Sequence, residues 1–375
     1  MAPTVAITKC ASYGEEEVYR AAGDAVERLG GMEKFVKRGE RILLKPNLLG
    51  PKPREAAVTT DPSVVGAMIR LVKEAGGVPV VGDSAALGSA LKAAEMCGVA
   101  EACRRHGSEL IELTDPVAVE SPSGHTFKRF EVARAALEAD GIINLPKLKT
   151  HAQMFLTLGV KNTFGCVPGK LKSQWHFSAG VDTSMFAGML LDLHLFLKPR
   201  LSLVDGIVAM EGNGPGNGDP RKLGLVFASD NAIAMDTVIA AVLGARPGDV
   251  PILKRARETG LGETDIEAIE LLGEMETVDG FRFPPLVDVN FASRLPYFID
   301  RRVRKAVTAR PHIDVDICTL CSSCVETCPA GVMEKRDRIV IDYDRCIRCY
   351  CCQEVCPEGA ISVKQGWLKK IVPGL

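Results

Sequence analysis

Nine of the thirteen cysteines in this 375-residue chain fall between positions 318 and 356, at the spacing of metal ligands. The first run reads Cys318-x-x-Cys321-x-x-Cys324-x-x-x-Cys328-Pro329. The second reads Cys346-x-x-Cys349-x-x-Cys352-x-x-x-Cys356-Pro357. Each matches the bacterial [4Fe–4S] ligand run at every position, proline included. A cubane cluster presents four irons, and each needs a thiolate. Three closely spaced cysteines wrap one loop around three irons; the fourth, at a proline-marked turn, points to the other cluster. The expected cofactors are therefore two [4Fe–4S] clusters. One is expected on Cys318, Cys321, Cys324 and Cys356, the other on Cys346, Cys349, Cys352 and Cys328. Zinc would typically use two separated CxxC pairs. A disulfide framework would need an oxidising compartment. Cys351, beside Cys352, reads as a bystander that takes a ligand position only if the loop shifts register.

The repeat extends past the cysteines. Ile313-Asp314-Val315-Asp316 precedes the first run, and Ile341-Asp342-Tyr343-Asp344 precedes the second in the same register. Such an internal repeat implies pseudo-two-fold symmetry. Residues 313–364 resemble a bacterial-type two-cluster ferredoxin, a resemblance that implies one-electron carriage at low potential.

A second chemically unusual stretch is Lys147-Leu148-Lys149-Thr150-His151. In an extended chain Lys147, Lys149 and His151 share one face, which suits a carboxylate or phosphate. Lys161, Asn162, Lys170, Lys172 and His176 follow, punctuated by Gly159, Gly165 and Gly169. His151 and His176 are candidate general acids because imidazole titrates near neutrality. His106, His125, His194 and His312 have no supporting pattern and read as structural, and Cys166 reads as a buried thiol. The run 212–218, four glycines with Asn213, Pro215 and Asn217, is flexible enough to approach a ligand closely. It is no dinucleotide motif, since its spacing differs from G-x-G-x-x-G and a strand follows it.

The elements that must position these residues alternate strand and helix. Strands are expected at 4–8, 41–45, 78–81, 108–113, 141–145, 201–205 and 225–228. Helices are expected at 15–29, 62–75, 99–106, 132–139, 182–197 and 232–243. Asp61 caps the second helix, with Pro62 at its first position. This alternation predicts an α/β fold with a mostly parallel sheet covered by helices on both faces, plus a small ferredoxin-like α+β domain. The expected organisation is an α/β domain at 1–290, a linker at 291–312 with a basic helix around Arg301, Arg302, Arg304 and Lys305, and the cluster domain at 313–375. Open α/β sheets bind ligands beyond the carboxyl ends of their strands. That places Lys45, Asn47, Asp83, Asp205, Lys161 and Asn162 around one substrate site, with His151, Lys147 and Lys149 as its catalytic groups.

The chain is 46% hydrophobic and 25% charged, which excludes disorder, and its net charge of −1 argues against nucleic acid as a partner. No apolar run is long enough to span a membrane; 185–197 is short and interrupted by Asp192 and His194. Glu15, Glu16, Glu17 and Asp24 near the start speak against an export signal, so a cytoplasmic location is expected.

Lys45-Pro46-Asn47, Thr60-Asp61-Pro62, the stretch from Asn144 through His151, Gly159-Val160-Lys161-Asn162 and Asp205-Gly206 resemble the family called domain of unknown function 362, over about residues 1–290. The resemblance implies an α/β fold and an iron–sulfur protein, often fused to a ferredoxin module, and brings no established reaction. The leading expectation is a reductase that passes electrons from its ferredoxin module to a small anionic metabolite, with a further protein as electron donor or acceptor. The alternatives are an electron carrier or adaptor whose α/β domain only binds, and a non-redox enzyme with structural clusters.

Overall fold

The computed structural model describes residues 2–85, 88–169, 171–285 and 309–365. Lys170 and the expected basic helix around Arg301 lie outside the described residues. The strands are β1 (Thr4–Lys9), β2 (Arg41–Pro46), β3 (Val78–Asp83), β4 (Glu109–Glu112), β5 (Pro116–Glu120), β6 (Arg129–Ala133), β7 (Gly141–Leu145), β8 (Lys147–His151), β9 (Phe155–Thr157), β10 (Leu201–Glu211), β11 (Asp219–Ser229) and β12 (Glu270–Leu272). The cysteine module adds β13 (Arg310–Ile313), β14 (Met333–Lys335), β15 (Ile339–Ile341) and β16 (Ile361–Lys364).

Ten of these strands form one sheet, in the order β12-β1-β11-β10-β7-β2-β3-β4, with β8 beside β10 and β9 beside β8. From β10 through β4 all neighbours are parallel. Only β1–β11, β11–β10 and β8–β9 are antiparallel. The parallel strands are apolar on both faces because both faces are covered. Ile42 and Leu44 of β2 pack with the helices Glu15–Arg28, Pro62–Glu74 and Val99–His106. Leu43, pointing the other way, packs with the helices Thr183–Leu197, Ala232–Val242 and Pro251–Thr259. The protein is therefore an α/β fold with a mostly parallel sheet.

Local rules set the helix ends. Glu15–Arg28 buries Val18, Ala21, Ala22, Ala25 and Val26 at helical spacing and starts with three glutamates, which complement the helix dipole. It stops before Gly30 and Gly31, whose φ of 106° and 84° lie in the region that favours glycine. Asp61 accepts the Ser63 amide at 2.9 Å, a cap that contributes about 1 kcal/mol.

Four expectations change. Residues 132–133 end strand β6, which pairs with β5, so only Arg134–Glu138 is helical. The strand expected at 201–205 continues to Glu211 across a bulge between Gly206 and Val208, which leaves Asp205 inside the strand rather than at its end. The strand expected at 225–228 begins at Asp219. Lys147–His151 is itself a strand, buried at all five positions, because β10 and β9 enclose it.

Candidate active site at the junction with the cysteine module

The cysteine module packs on the loop that joins β10 to β11. Gln353 Nε2 donates to the carbonyl and Oδ1 of Asn213 and to the Gly214 carbonyl, at 2.9, 3.1 and 3.1 Å. Asn217 Nδ2 reaches the Cys356 carbonyl at 3.2 Å, and Lys52 Nζ the Pro357 carbonyl at 2.6 Å. A Cβ on Gly216 would stand 3.2 Å from the Glu354 carbonyl. The close approach expected of this glycine run is thus made to the module.

Within the module the two runs adopt matching conformations. Leu320 and Ser322 have φ of 55° and 70°; Arg348 and Tyr350, their counterparts, have 55° and 60°. Such left-handed backbone at non-glycine residues is uncommon, and its repetition shows that both loops curl around their central cysteine in the same way. Cys318, Cys321, Cys324 and Cys356 line one cavity of about 350 Å³. Burial, then the charges of Cys321, Cys356 and Cys318, push the Cys324 thiol up to about 11. Cys352 is pushed well up by burial and by Cys349, Cys346 and Cys328. The fourth cysteine of each run therefore lies with the other run. Soft thiol donors gathered in this way fit iron–sulfur ligation.

A larger cavity, about 670 Å³ and open to solvent, lies between module and sheet. Its floor is at the carboxyl ends of adjacent strands, with Lys45 near the end of β2 and Asp83 at the end of β3. Lys45 Nζ lies 2.7 Å from Asp83 Oδ1, and both side chains are almost wholly buried. Asp83 also accepts the Leu48 and Ser84 amides at 2.6 and 2.7 Å, so its acceptor capacity is largely filled. Gly165 lies against this pair, where a Cβ would collide with Asp83 Oδ1 and Lys45 Nζ.

One wall carries Asn47, Lys161 and Asn162; another carries Lys172, Ser173 and His176 of the helix Leu171–Ala179. The roof is Thr327, Cys351, Glu354 and Val355 of the module. Asn47 Nδ2 donates to Asn162 Oδ1 at 3.0 Å, and Asn162 Nδ2 to Asn144 Oδ1 at 2.8 Å and to the Lys45 carbonyl at 3.0 Å. Among the described residues Lys172 Nζ has one hydrogen-bond partner, the Ser84 carbonyl at 2.8 Å. Lys161 Nζ lies 5.9 Å from the Phe164 ring centroid and, among the described residues, has no hydrogen bond or ion pair. Unfilled capacity on these walls belongs to the lysine donors, which suit an anion, and to His176 Nδ1, buried without a hydrogen-bond partner among the described residues. Burial, opposed by Asp83 and reinforced by Lys45, lowers the Lys172 ammonium to about 7. The same cause lowers Lys161.

Lys147, Lys149, His151 and Asp205 do not line this cavity. Lys147 Nζ is 2.8 Å from Asp205 Oδ2 and donates to the Tyr13 hydroxyl at 2.7 Å; that hydroxyl donates to Asp205 Oδ1 at 2.7 Å. Lys45 and Lys147 thus each face a buried carboxylate, which reduces the repulsion among the lysines. Lys149 Nζ donates to Asn47 Oδ1 at 2.9 Å and to the Val58 carbonyl at 2.7 Å, so it positions a wall residue. Burial and then Lys161 lower it to about 7. His151 Nδ1 accepts the amides of Gln153 and Met154, which leaves its proton on Nε2, 2.8 Å from Glu354 Oε1. Burial lowers His151 to about 4. Burial opposes ionisation of Glu354, but His151, Lys161 and His176 outweigh it and hold the carboxyl low.

Residues 42–241 match the model described as Domain of unknown function (DUF362), and residues 317–360 that of the 4Fe-4S dicluster domain. The chain belongs to the DUF362 family. It is 41% identical over 291 residues to the Thylakoid-associated protein sll1697 of Synechocystis sp. (strain ATCC 27184 / PCC 6803 / Kazusa), a match that covers 76% of this chain and 89% of that protein. Among solved structures, the lactate racemase apoprotein of Thermoanaerobacterium thermosaccharolyticum is 12% identical with a TM-score of 0.37, over 59% of this chain and 54% of that one. A Thermotoga maritima protein is 14% identical with a TM-score of 0.37, over 58% and 56%.

This DUF362 protein therefore carries a C-terminal ferredoxin-like iron–sulfur module suited to electron transfer. Among the described residues no helix is long and apolar enough to cross a membrane. Of the residues expected at the site, Lys45, Asn47, Asp83, Lys161 and Asn162 share the cavity. Lys172 and His176 join them, as the basic stretch following His151 hinted. Glu354 and Thr327 had no signal, because each meets the site only across a long sequence separation.

Proposed function

We propose that this protein is an iron–sulfur reductase that passes electrons from its ferredoxin-like module to a small anionic molecule held in the junction cavity. The observation that carries this reading is the shared wall. Cys351 and Thr327 line the cavity, and each is the immediate neighbour of a cysteine, Cys352 or Cys328, assigned to one cluster. We assign one [4Fe–4S] cluster to Cys318, Cys321, Cys324 and Cys356, and one to Cys346, Cys349, Cys352 and Cys328. These clusters, when bound, supply electrons one at a time.

The chain's own residues hold and orient the molecule that receives them. Lys161 and Lys172 bind the anion, and Asn47 and Asn162 present a fixed edge to it. Lys172 holds a proton that it gives up near neutrality. Lys149 and Lys147 act from behind the wall as positioning residues. His151 orients Glu354 and so fixes the module's roof over the cavity. The partner is a further electron-transfer protein, nucleic acid is not one, and a cytoplasmic location suits thirteen cysteines that form no disulfide. The name of the Synechocystis relative, thylakoid-associated, fits a protein that collects electrons beside a membrane.

Anaerobically purified protein examined by native mass spectrometry should retain a small anion. Lys161→Met should lose it with cluster mass unchanged. Retention by Lys161→Met, or no anion in either protein, would favour the carrier reading. That second reading draws on the pairing of Lys45 with Asp83 and Lys147 with Asp205, which leaves few cations unengaged.

A pH dependence follows from Lys172. Below about 7 its ammonium is charged, and above that it is neutral. Sulfate, whose charge is constant across this range, should bind more weakly as pH rises through neutrality. Lys172→Met should bind weakly at every pH, as titration calorimetry can show; an unchanged pH profile in that variant would remove Lys172 from the site.

A further inference from the structure

The two halves of the cysteine module are unlike in exposure. In the second run Cys349, Cys351 and Cys352 are buried, and Cys351 forms part of the roof of the cavity. In the first run Cys321 is exposed, the only exposed thiol among the described residues. Just before it, Val315 and Ile317 are 61% and 48% exposed, among the most exposed large apolar side chains described.

The internal repeat supplies a comparison within the same chain. The counterpart of Val315 is Tyr343, whose hydroxyl donates to the Pro311 carbonyl at 2.9 Å. The Arg310 guanidinium lies 4.7 Å from its ring centroid. At that position the second copy is used by the fold. Val315 and Ile317 do no such work in the first copy, and apolar side chains left in water at a cluster's edge point to a partner. Exposed Asp314 and Asp316 alternate with them, and exposed Glu358 lines the cavity of Cys318, Cys321, Cys324 and Cys356. Of the cations around this face, Lys335 is tied to the Leu320 carbonyl at 2.7 Å and Arg310 lies over the Tyr343 ring, while Lys364 stands near His312.

We propose that the face formed by residues 314–317 with Cys321 and Glu358 is the electron port of the protein. It docks a one-electron carrier protein whose contact surface is apolar at the centre and rimmed with Lys or Arg. The proposal rests on the cluster assignment above. Cys318, Cys321, Cys324 and Cys356 would hold the cluster that takes one electron from the carrier, which would be oxidised as the cluster is reduced, with no bond formed or broken and no proton moved. Acidic groups around a small apolar centre steer a cationic partner and let it leave quickly, as repeated one-electron exchange requires. The port residues are absent from the lining of the cavity, which meets the module instead at Thr327, Cys351, Glu354 and Val355.

The test uses the whole chain, reconstituted anaerobically, reduced, and mixed with oxidised cytochrome c, a basic one-electron acceptor, by stopped flow. Val315→Ser with Ile317→Ser, and separately Asp316→Asn with Glu358→Gln, should each slow the second-order rate about tenfold at low salt. The charge variant should also flatten the salt dependence. Iron content and the rate of oxidation by methyl viologen, a small acceptor that needs no docking face, should not change. Natural-rate transfer to cytochrome c by both variants overturns the port. So does a natural dimer that the apolar variant converts to monomer with no change in rate, since the face then belongs to a second copy. About four irons in the natural chain would instead defeat the cluster assignment, and the port with it.

Discussion

Replacing Cys328 by alanine should empty the cluster site of the second cysteine run and leave that of the first run filled. Iron should fall from about eight to about four per chain, since each cubane holds four. The reason is the crossed arrangement: Cys352 feels Cys328 from the other run, as Cys324 feels Cys356. Cys356→Ala should do the reverse. Electron paramagnetic resonance of the reduced protein distinguishes the two outcomes. The functional consequences should differ as well. Cys328→Ala removes the cluster beside the cavity and should abolish reduction of whatever anion it holds. Cys356→Ala should keep reduction by a small chemical donor while losing the route from a protein donor. Cys351→Ala should keep both clusters. Loss of the cluster nearest in sequence to the altered cysteine would show that the runs are not crossed.

Removing the Asp83 carboxylate should be among the most damaging single changes in the α/β domain. Asp83→Ala leaves the Lys45 ammonium, itself wholly buried, without its counter-charge and deprives the Leu48 and Ser84 amides of their acceptor. Breaking a buried ion pair from one side costs about 3–5 kcal/mol. Denaturant midpoints should show that loss, and sulfate affinity should fall with it because the cavity floor rearranges. The double change Lys45→Met with Asp83→Leu should recover much of the stability, as no charge is then stranded, without recovering anion affinity. Gly165→Ala offers an independent route to the same outcome, since its added methyl group collides with the pair. Equal stability of Asp83→Ala and the natural protein would mean that water reaches Lys45.

The sequence by itself determined the parts whose physics is local. Ligand spacing is a property of a short loop, so both cysteine runs and their repeat were legible directly. Alternate residues of a buried strand face opposite cores, so β2 and its neighbours were legible from their apolar runs, and Asp61 with Pro62 marked a helix start by chemistry alone. Lys45, Asn47, Asp83, Lys161 and Asn162 could be placed together because parallel strands end on the same side. Tertiary structure decided what lies across the gaps. Asp205 lies within an extended strand and neutralises Lys147, His151 meets Glu354 of the module, and the glycine run clamps the module. None of these pairings has a periodic signature. Each depends on how segments far apart in the chain are brought into contact, and a buried lysine reads the same in sequence whether it awaits a ligand or already faces a carboxylate.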